Sequence, residues 1–250
     1  MREQILLCLV LAFIAVISIK MLPIFWRFLK NMTDKALIIT GGDIDFSYKK
    51  SKDCQMVIAV DNGLAAAHKM GIRPSVIIGD FDTVSLKLLH IYENQTDIKI
   101  IKLLPEKDDT DTEAAVRFAA ENGIKEIDIL GATGSRFDHA YANMFLLKKA
   151  MEQNIMIYLY TGLSKIYLVH GKKEYRREDF FGTYISFLQF DGSALGVTME
   201  GFKYNVSDFD FDTKKTYRLG VSNEPLKERA SIVIQQGYML AIESLEDKDK

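Results

Sequence analysis

The sequence predicts an α/β protein, in which a parallel sheet is followed by a small antiparallel β-sandwich. Between residues 36 and 160, short apolar runs alternate with helical patterns, as expected for parallel strands joined by crossover helices. After about residue 160 the helical patterns stop, and β-rich segments follow one another between Gly, Asp and Asn turns, which is typical of antiparallel sheets. We therefore predict two domains, 33–160 and 161–250, after an N-terminal extension.

Strands of the first half are indicated by six short runs rich in Ile and Val, a composition typical of strands buried on both faces. The runs are "ALIIT" (36–40), "MVIAV" (56–60), "VIIG" (76–79), "IKIIKLL" (98–104), "EIDILG" (126–131) and "IMIYLY" (155–160). Helices are indicated at 63–71, 111–123 and 138–154, where Gly123 is suited to end the second and Asp138 to cap the third. The second half supplies β-rich segments only: "KIYLVHG", "GTYISFLQF", "GVTMEGF", "TYRLGVS" and "ASIVIQQGYMLAIES".

The composition is that of an ordinary globular protein. The chain has 250 residues, 48% of them hydrophobic and 26% charged, and a formal net charge of -2. This balance argues against a protein that mainly coats nucleic acid, so no nucleic-acid partner is expected. The two cysteines, Cys8 and Cys54, have no metal-ligand spacing, and they indicate a reducing compartment without a disulfide framework.

Residues 1–32 differ from the rest because they contain a long apolar run from Ile5 to Ile19. As a helix this run would be about 22 Å long, short of the roughly 30 Å hydrocarbon core of a bilayer. Two interpretations are favoured: a membrane anchor formed by residues 5–29, and a spurious extension with translation starting at Met32. A secretory signal peptide is a third and less favoured interpretation, because Glu3 interrupts the basic n-region and no good cleavage site follows. We expect a cytoplasmic protein in both favoured cases, because basic residues near the run would keep an anchored domain on the cytoplasmic side.

Glycines and acidic residues gather directly after five of the predicted strands. The segments are "GGD" (41–43), "DNG" (61–63), "GDFD" (79–82), "PEKDDTD" (105–111) and "GATGSRFDH" (131–139). Because ligands bind at the carboxyl ends of the strands in an open parallel sheet, we expect these segments to line one site.

The segment "VIIGDFDTVS" (76–85) is the most informative of these. On an extended chain Asp80 and Asp82 would point the same way, and two unpaired carboxylates side by side call for a cation. Mg²⁺ suits such ligands, because proteins hold it with one or two carboxylates plus substrate phosphates. A solvated turn is the alternative interpretation of an isolated Asp-x-Asp. A second acidic cluster, formed by Asp108, Asp109 and Asp111, shifts our preference to the metal site.

Two further segments carry groups suited to phosphate. In "KDDTDTE", Thr110 and Asp111 fall where a helix would begin, and helix N-termini favour anions. Lys107 adds a positive charge nearby. In "GATGSRFDH", the glycines permit close approach of backbone to phosphate, and Arg136 can donate two hydrogen bonds to phosphate oxygens. His139 on its own is more often a structural residue than a catalyst.

Taken together, four ordered motifs resemble the thiamine pyrophosphokinase (thiamine diphosphokinase) family. They are "DNGLAAAHKMGIRPSVIIGDFDTVS", "PEKDDTDTE", "GATGSRFDHAYAN", and "GVSNE" followed by "GYMLAIES". The resemblance implies an α/β nucleotide-binding domain that binds ATP and Mg²⁺, followed by a thiamine-binding β-sandwich domain. It further implies a homodimer with thiamine bound between the subunits. The implied reaction transfers pyrophosphate from ATP to the hydroxyl of thiamine and gives thiamine diphosphate and AMP.

The same resemblance implies roles for individual residues. Catalytic roles fall on four carboxylates, of which the first three would bind Mg²⁺: Asp80, Asp82, Asp108 and Asp111. ATP and its phosphates would contact Asp61, Asn62, Lys107, Thr110, Arg136, Asp138 and His139. Ser222 and Asn223 would help to form the thiamine pocket. The chain departs from the family pattern at Ser135, where a second glycine is usual, and at Thr83, where serine is usual.

Two alternative functions remain at this point. The stretch "VIIGDFDTV" also resembles the first motif of haloacid-dehalogenase-type phosphatases, in which Asp80 would be the nucleophile and Asp82 the acid/base. That motif normally opens its domain, whereas two predicted strands precede it here. The second alternative is a non-catalytic module that binds a nucleotide or thiamine.

Overall fold

A computed structural model describes residues 34–44, 53–104, 109–134 and 136–245 of the chain. Predictions that concern residues 1–33, Lys107, Asp108 or Ser135 therefore lie outside the described residues. Among the helices of the described ranges, none is long and apolar enough to cross a membrane.

Six parallel strands form the first half of the sheet, as predicted. They are β1 (Lys35–Ile39), β2 (Met56–Val60), β3 (Val76–Gly79), β4 (Lys99–Lys102), β5 (Glu126–Leu130) and β6 (Met156–Tyr160). Their order across the sheet is β6-β5-β1-β2-β3-β4, and every neighbouring pair is parallel.

Four helices accompany these strands in the described residues. They are α1 (Gly63–Met70), α2 (Leu86–Glu93), α3 (Asp111–Glu121) and α4 (Phe137–Met151). Three of them confirm the predicted helices, and α3 ends before Gly123, whose φ of 85° suits glycine. The prediction did not include α2, because eight residues give too short a periodic signal. The predicted capping role of Asp138 is wrong, because α4 begins one residue earlier and makes no side-chain capping bond.

The helices cover both faces of the parallel strands. Along β1, Ala36 and Ile38 belong to the core shared with α3 and α4, whereas Leu37 and Ile39 belong to the core shared with α1 and α2. All four side chains are fully buried, and full burial of a Leu or Ile side chain contributes roughly 1.5–3 kcal/mol. This burial on both faces explains why the strands read as continuous apolar runs.

The direction of winding reverses between β1 and β5. From β1 the chain adds β2, β3 and β4 on one side, and it then returns through α3 to place β5 and β6 on the other side. Such a reversal leaves a crevice outside the carboxyl ends of the two central strands, where α/β proteins bind ligands.

Five antiparallel strands form the second half. They are β7 (Ser164–Arg176), β8 (Tyr184–Glu200), β9 (Val206–Phe211), β10 (Gly220–Asn223) and β11 (Arg229–Ser244). They run in the order β10-β8-β11-β7, with β9 beside β8, and β7 pairs with β6. The predicted fold class is confirmed, and the described strands of both halves belong to one sheet. The division into two domains near residue 160 stays a prediction.

The antiparallel half encloses a core of its own. Ile185 and Phe187 reach this core from one end of β8, and Val197 and Met199 reach it from the other end. Because both ends of one strand meet the same core, the strand curls around it. Register shifts between β8 and β11 accompany this curl, as expected because bulges bend strands.

Candidate active site

A cavity of about 580 Å³ opens at the carboxyl ends of β1, β2, β3 and β5. Seven of the predicted site residues line it: Asp61, Asn62, Asp80, Thr110, Asp111, Arg136 and His139. Four others do not: Asp82, Asp138, Ser222 and Asn223. The expectation that the strand ends meet in one site is therefore fulfilled, because described residues from all five segments line the cavity at one edge of the sheet.

Asp61 enters the cavity through an unusual backbone conformation. Its φ is 45°, a left-handed value that aspartate tolerates better than most residues. Its N–H donates to the Ile78 carbonyl at 3.0 Å. A Cβ atom at residue 79 would lie 1.8 Å from Oδ1 of Asp61. Gly79, at the end of β3, therefore leaves the space that the Asp61 carboxyl group occupies.

The acidic side chains of the cavity repel one another. The pKa of Asp61 is raised to about 7, first by burial, then by a hydrogen bond with Asp111 and by the charges of Asp111 and Asp80. Crowded carboxylates of this kind either hold a proton or are neutralised by a cation. The charged form of Asp61 is therefore disfavoured in this cavity.

The chain turns sharply between the two aspartates of "GDFD". Phe81 has a φ of 65°, and the N–H of Asp82 donates to Oδ1 of Asp80 at 3.1 Å. Asp80 is half-buried and lines the cavity, whereas Asp82 is exposed outside its lining. The extended geometry expected for residues 80–82 is therefore wrong, because the strand ends at Gly79.

Helix α3 begins at the cavity with a complete capping box. The Thr110 side chain accepts from the N–H of Glu113, and the Glu113 carboxylate accepts from the N–H of Thr110. This arrangement stabilises the helix start by roughly 1 kcal/mol. It holds Asp111 at the first helical position, against Asp61. Asp109 also lines the cavity, and it forms an ion pair with Arg117 of α3.

Two basic side chains reach the cavity at the start of α4. Arg136 donates to both oxygens of Asp138, from Nε at 3.1 Å and from Nη2 at 2.5 Å. This pairing lowers the pKa of Asp138 to about 2. His139 also lines the cavity. Both the Arg136 and Asp138 side chains are about two-thirds exposed, so the guanidinium is free to exchange its partner for a phosphate.

Comparison with known proteins assigns the chain to a family. A model of "Thiamin pyrophosphokinase, catalytic domain" matches residues 48–159, and one of "Thiamin pyrophosphokinase, vitamin B1 binding domain" matches residues 169–239. The thiamine pyrophosphokinase of Bacillus subtilis (strain 168) is 30% identical over 197 residues, covering 75% of this chain and 86% of that protein. The chain belongs to the thiamine pyrophosphokinase family.

Solved structures agree with this membership. The thiamine pyrophosphokinase of Bacillus subtilis matches with a TM-score of 0.74 at 26% identity, covering 85% of this chain and 99% of that one. A thiamine pyrophosphokinase family protein from Enterococcus faecalis matches the fold with a TM-score of 0.74 at 24% identity, covering 85% and 100%. The phosphatase alternative is left without support.

The thiamine-binding motif of the family lies far from the cavity of its own chain. Ser222 is exposed on β10, an edge strand that is five strand spacings from β5, or roughly 24 Å along the sheet. Asn223 is buried, and its amide accepts from the N–H of Tyr204 at 2.9 Å and donates to the Tyr204 carbonyl at 2.8 Å. The Asn223 side chain is therefore engaged in holding the protein together.

The sequence prediction missed several residues of the cavity. Thr40, Thr133 and Asn143 line it, together with the glycines of both loops, Gly41, Gly42, Gly131 and Gly134. The "GGD" and "GATG" segments pointed to these loops, and the glycines of the second were expected near phosphate, but none of these residues was assigned to the site. Asn143 closes the motif "GATGSRFDHAYAN", and it carried no signal of its own because asparagine is also common on helix surfaces.

Proposed function

We propose that this protein is an ATP:thiamine diphosphotransferase, which transfers pyrophosphate from ATP to the hydroxyl of thiamine and gives thiamine diphosphate and AMP. One observation carries the proposal. The chain matches both the catalytic and the vitamin B1 binding models of its family, in order. The acidic cavity at the switch point of the sheet supplies a site suited to this chemistry.

The carboxylates of the cavity fit Mg²⁺. Within the part of the chain that the structure describes, no three Asp, Glu, His or Cys side chains enclose a metal ion by themselves. Mg²⁺ needs no such cage, because one or two carboxylates plus substrate phosphates and water complete its shell. Burial first, and then the carboxylates of Asp111 and Asp80, raise the pKa of Asp61, and a cation beside it would favour its charged form. When bound, Mg²⁺ would neutralise phosphate oxygens and orient the triphosphate.

We assign the metal shell to Asp80 and Asp82, with Asp108 as the third ligand. Asp80 faces the cavity, and the bond from the Asp82 N–H keeps that residue in the same turn. Asp108 lies outside the described residues and stays a prediction from the sequence. Asp61, which lies beside the turn that carries Asp80, and its neighbour Asp111 would hold the proton that the thiamine hydroxyl loses.

The nucleotide would lie against the remaining groups of the cavity. Asn62 and Thr110 offer polar side chains beside the carboxylates, and Arg136 offers positive charge and His139 an imidazole at the start of α4. Asp138 orients Arg136 through its two hydrogen bonds. Lys107 is assigned to the same phosphates from the sequence alone. These residues bind and align the reacting groups, which is the main requirement of phosphoryl transfer.

We propose further that the enzyme is a homodimer in which Ser222 serves the cavity of the second subunit. Ser222 pairs with Ser186 of β8 and therefore shares a face with Phe190, four residues further on. The Phe190 ring lies 5.0 Å from the ring of Phe145 on α4. This face thus continues into a row of exposed aromatic side chains on α4.

The row of exposed aromatic side chains on α4 forms a surface that a second copy of the chain can cover. Phe137, Tyr141 and Phe145 are 74%, 53% and 41% exposed, and neighbouring rings are 6.2 and 5.1 Å apart. The row starts next to Arg136, at the rim of the cavity. Large exposed apolar surfaces with polar rims mark protein interfaces. A second copy seated here would bring its Ser222 face towards the cavity.

Activity measurements test the proposed reaction directly. We expect the full-length protein to release AMP from ATP only when thiamine and Mg²⁺ are both present, with one thiamine diphosphate formed for each AMP. Phosphate release without thiamine would instead favour a phosphatase. Binding of ATP or thiamine without any AMP would favour a non-catalytic module.

A further inference from the structure

Two buried polar side chains line the cavity: Thr40 binds the last residue of β5, and Asn143 binds the turn that follows it. Thr40 is 6% exposed and donates from Oγ1 to the Leu130 carbonyl at 3.0 Å. Asn143 is 9% exposed and donates from Nδ2 to the Ala132 carbonyl at 2.7 Å. The turn between them, residues 131–134, joins β5 to α4. A buried side chain that bonds a loop carbonyl limits how that loop can move.

Backbone bonds hold the other carbonyls of this turn. The Gly131 carbonyl accepts from the N–H of Gly42 at 3.1 Å, and the Thr133 carbonyl accepts from the N–H of Asp43 at 2.7 Å. Each carbonyl from residue 130 to 133 thus has a donor, and Asn143 supplies the one for Ala132. Without the Asn143 amide, the Ala132 carbonyl would be the one carbonyl of residues 130–133 that has no hydrogen-bond donor.

The N–H groups of the turn are left available. Within the described ranges, the N–H groups of Ala132, Thr133 and Gly134 donate to no protein acceptor, and all three residues line the cavity. Successive backbone N–H groups in a turn bind anions, phosphate above all. Because the carbonyls of the turn are held by hydrogen bonds, the peptide planes that carry these N–H groups are held as well.

The orientation of the Asn143 amide follows from its partner. A carbonyl oxygen only accepts hydrogen bonds, so the NH₂ group of Asn143 must face Ala132. We propose that Asn143 is a positioning residue, which holds the 131–134 turn so that its N–H groups bind the phosphates of ATP. This inference rests on the proposed function, because the proposed substrate is the source of the phosphates.

Two substitutions test the proposal. Asn143→Asp keeps the shape of the side chain but replaces the donor with an oxygen that repels the Ala132 carbonyl, and Asn143→Ala removes the amide. We expect both to weaken MgATP binding, measured by calorimetry, by at least roughly 10-fold, since small misplacements of binding groups cost that much or more. Thiamine binding should stay within twofold of the wild type. The KM for ATP should rise by the same factor as the dissociation constant of MgATP.

A matched control is Leu147→Ala, one turn further along α4. Leu147 is buried in the core that α4 shares with the sheet and α3, and it does not line the cavity. Shortening this side chain to alanine should lower the melting temperature without changing the affinity for MgATP. MgATP affinity within twofold of wild type in both Asn143 variants would overturn the proposal. So would a loss that Leu147→Ala reproduces. Because binding is read without turnover, absence of AMP release in the wild type would count against the proposed function alone.

Discussion

Single backbone torsions determine where the acidic side chains of the candidate site lie. The positive φ values of Asp61 and Phe81 turn two neighbouring strand ends so that Asp61 and Asp80 face the same cavity. Left-handed torsions at non-glycine residues are uncommon and cluster at functional sites. At this scale the acidic motif "GDFD" is a turn in which the N–H of Asp82 donates to the carboxylate of Asp80.

Replacement of Asp80 or Asp82 by Asn tests the proposed metal shell. We expect each variant to lose at least roughly 10²-fold in turnover, because charge positioned at the transferring phosphate contributes that much. The Mg²⁺ concentration for half-maximal activity should rise in both. The measurement is thiamine-dependent AMP release over a Mg²⁺ titration.

Glu93→Gln is the matched control for this pair, since it removes an exposed carboxylate on α2 that bonds His90. It should leave both quantities unchanged. Normal turnover in both aspartate variants would refute the metal assignment. Normal turnover in Asp82→Asn alone would remove Asp82 from the proposed metal ligands and leave Asp80 and Asp108.

At the scale of elements, two glycine loops pack against each other at the switch point. Gly42, after β1, approaches the turn after β5 so closely that a Cβ atom there would lie 2.2 Å from the carbonyl oxygens of both Gly131 and Thr133. Contacts this short with backbone cannot be relieved by a side-chain rotation. The close approach is also what allows the backbone bonds between the loops to form.

Substitution Gly42→Ala should therefore separate the two loops. We expect the free energy of unfolding to fall by about 1–3 kcal/mol, as for other overpacked sites, and AMP release to fall at least roughly 10-fold. Thermal unfolding and the AMP assay measure the two effects. Gly162→Ala is the control, because a Cβ atom there meets nothing within 4 Å. Equal behaviour of the two variants would contradict the role given to the loop contact.

At the scale of the whole molecule, the thiamine motif and the acidic cavity lie at different places on one sheet. Ser222 is on the edge strand β10, and the cavity is at the ends of the central parallel strands. One chain therefore holds both parts of the proposed site but does not bring them together. A homodimer would join the cavity of one subunit to the Ser222 face of the other.

Mixing two defective chains tests this arrangement. Asp80→Asn disables the cavity, and Ser222→Trp blocks the thiamine face, so each homodimer should be inactive. In a purified heterodimer of the two, one site has both intact parts, and we expect about half of the wild-type activity. The measurement is AMP release by heterodimers isolated with two affinity tags.

A second pair of chains controls for non-specific recovery. Heterodimers of Asp80→Asn with Asp61→Asn should stay inactive, because both residues line the same cavity and each site keeps one defect. Inactive Asp80→Asn and Ser222→Trp heterodimers would contradict the shared site. A monomeric wild-type protein in light scattering would contradict the homodimer itself.

The sequence by itself determined the fold class, the family and the set of motifs that meet. It could do so because parallel strands place their carboxyl ends at one edge of a sheet, and because buried strands must be apolar on both faces. The fate of each motif residue was not determined in the same way. Asp80 lines the cavity and Asp82 does not, and the Asn223 side chain bonds the backbone of Tyr204 in the antiparallel half.

Only the tertiary structure decided those placements, for two physical reasons. The direction of a side chain after a strand depends on one or two torsions, such as the φ of 65° at Phe81, which no residue pattern encodes. The roles of Thr40 and Asn143 depend on hydrogen bonds to carbonyls 90 and 11 residues away in the chain. Long-range pairing also joins both halves into one sheet and sets Ser222 at its edge, apart from the cavity that it is proposed to serve in a second copy.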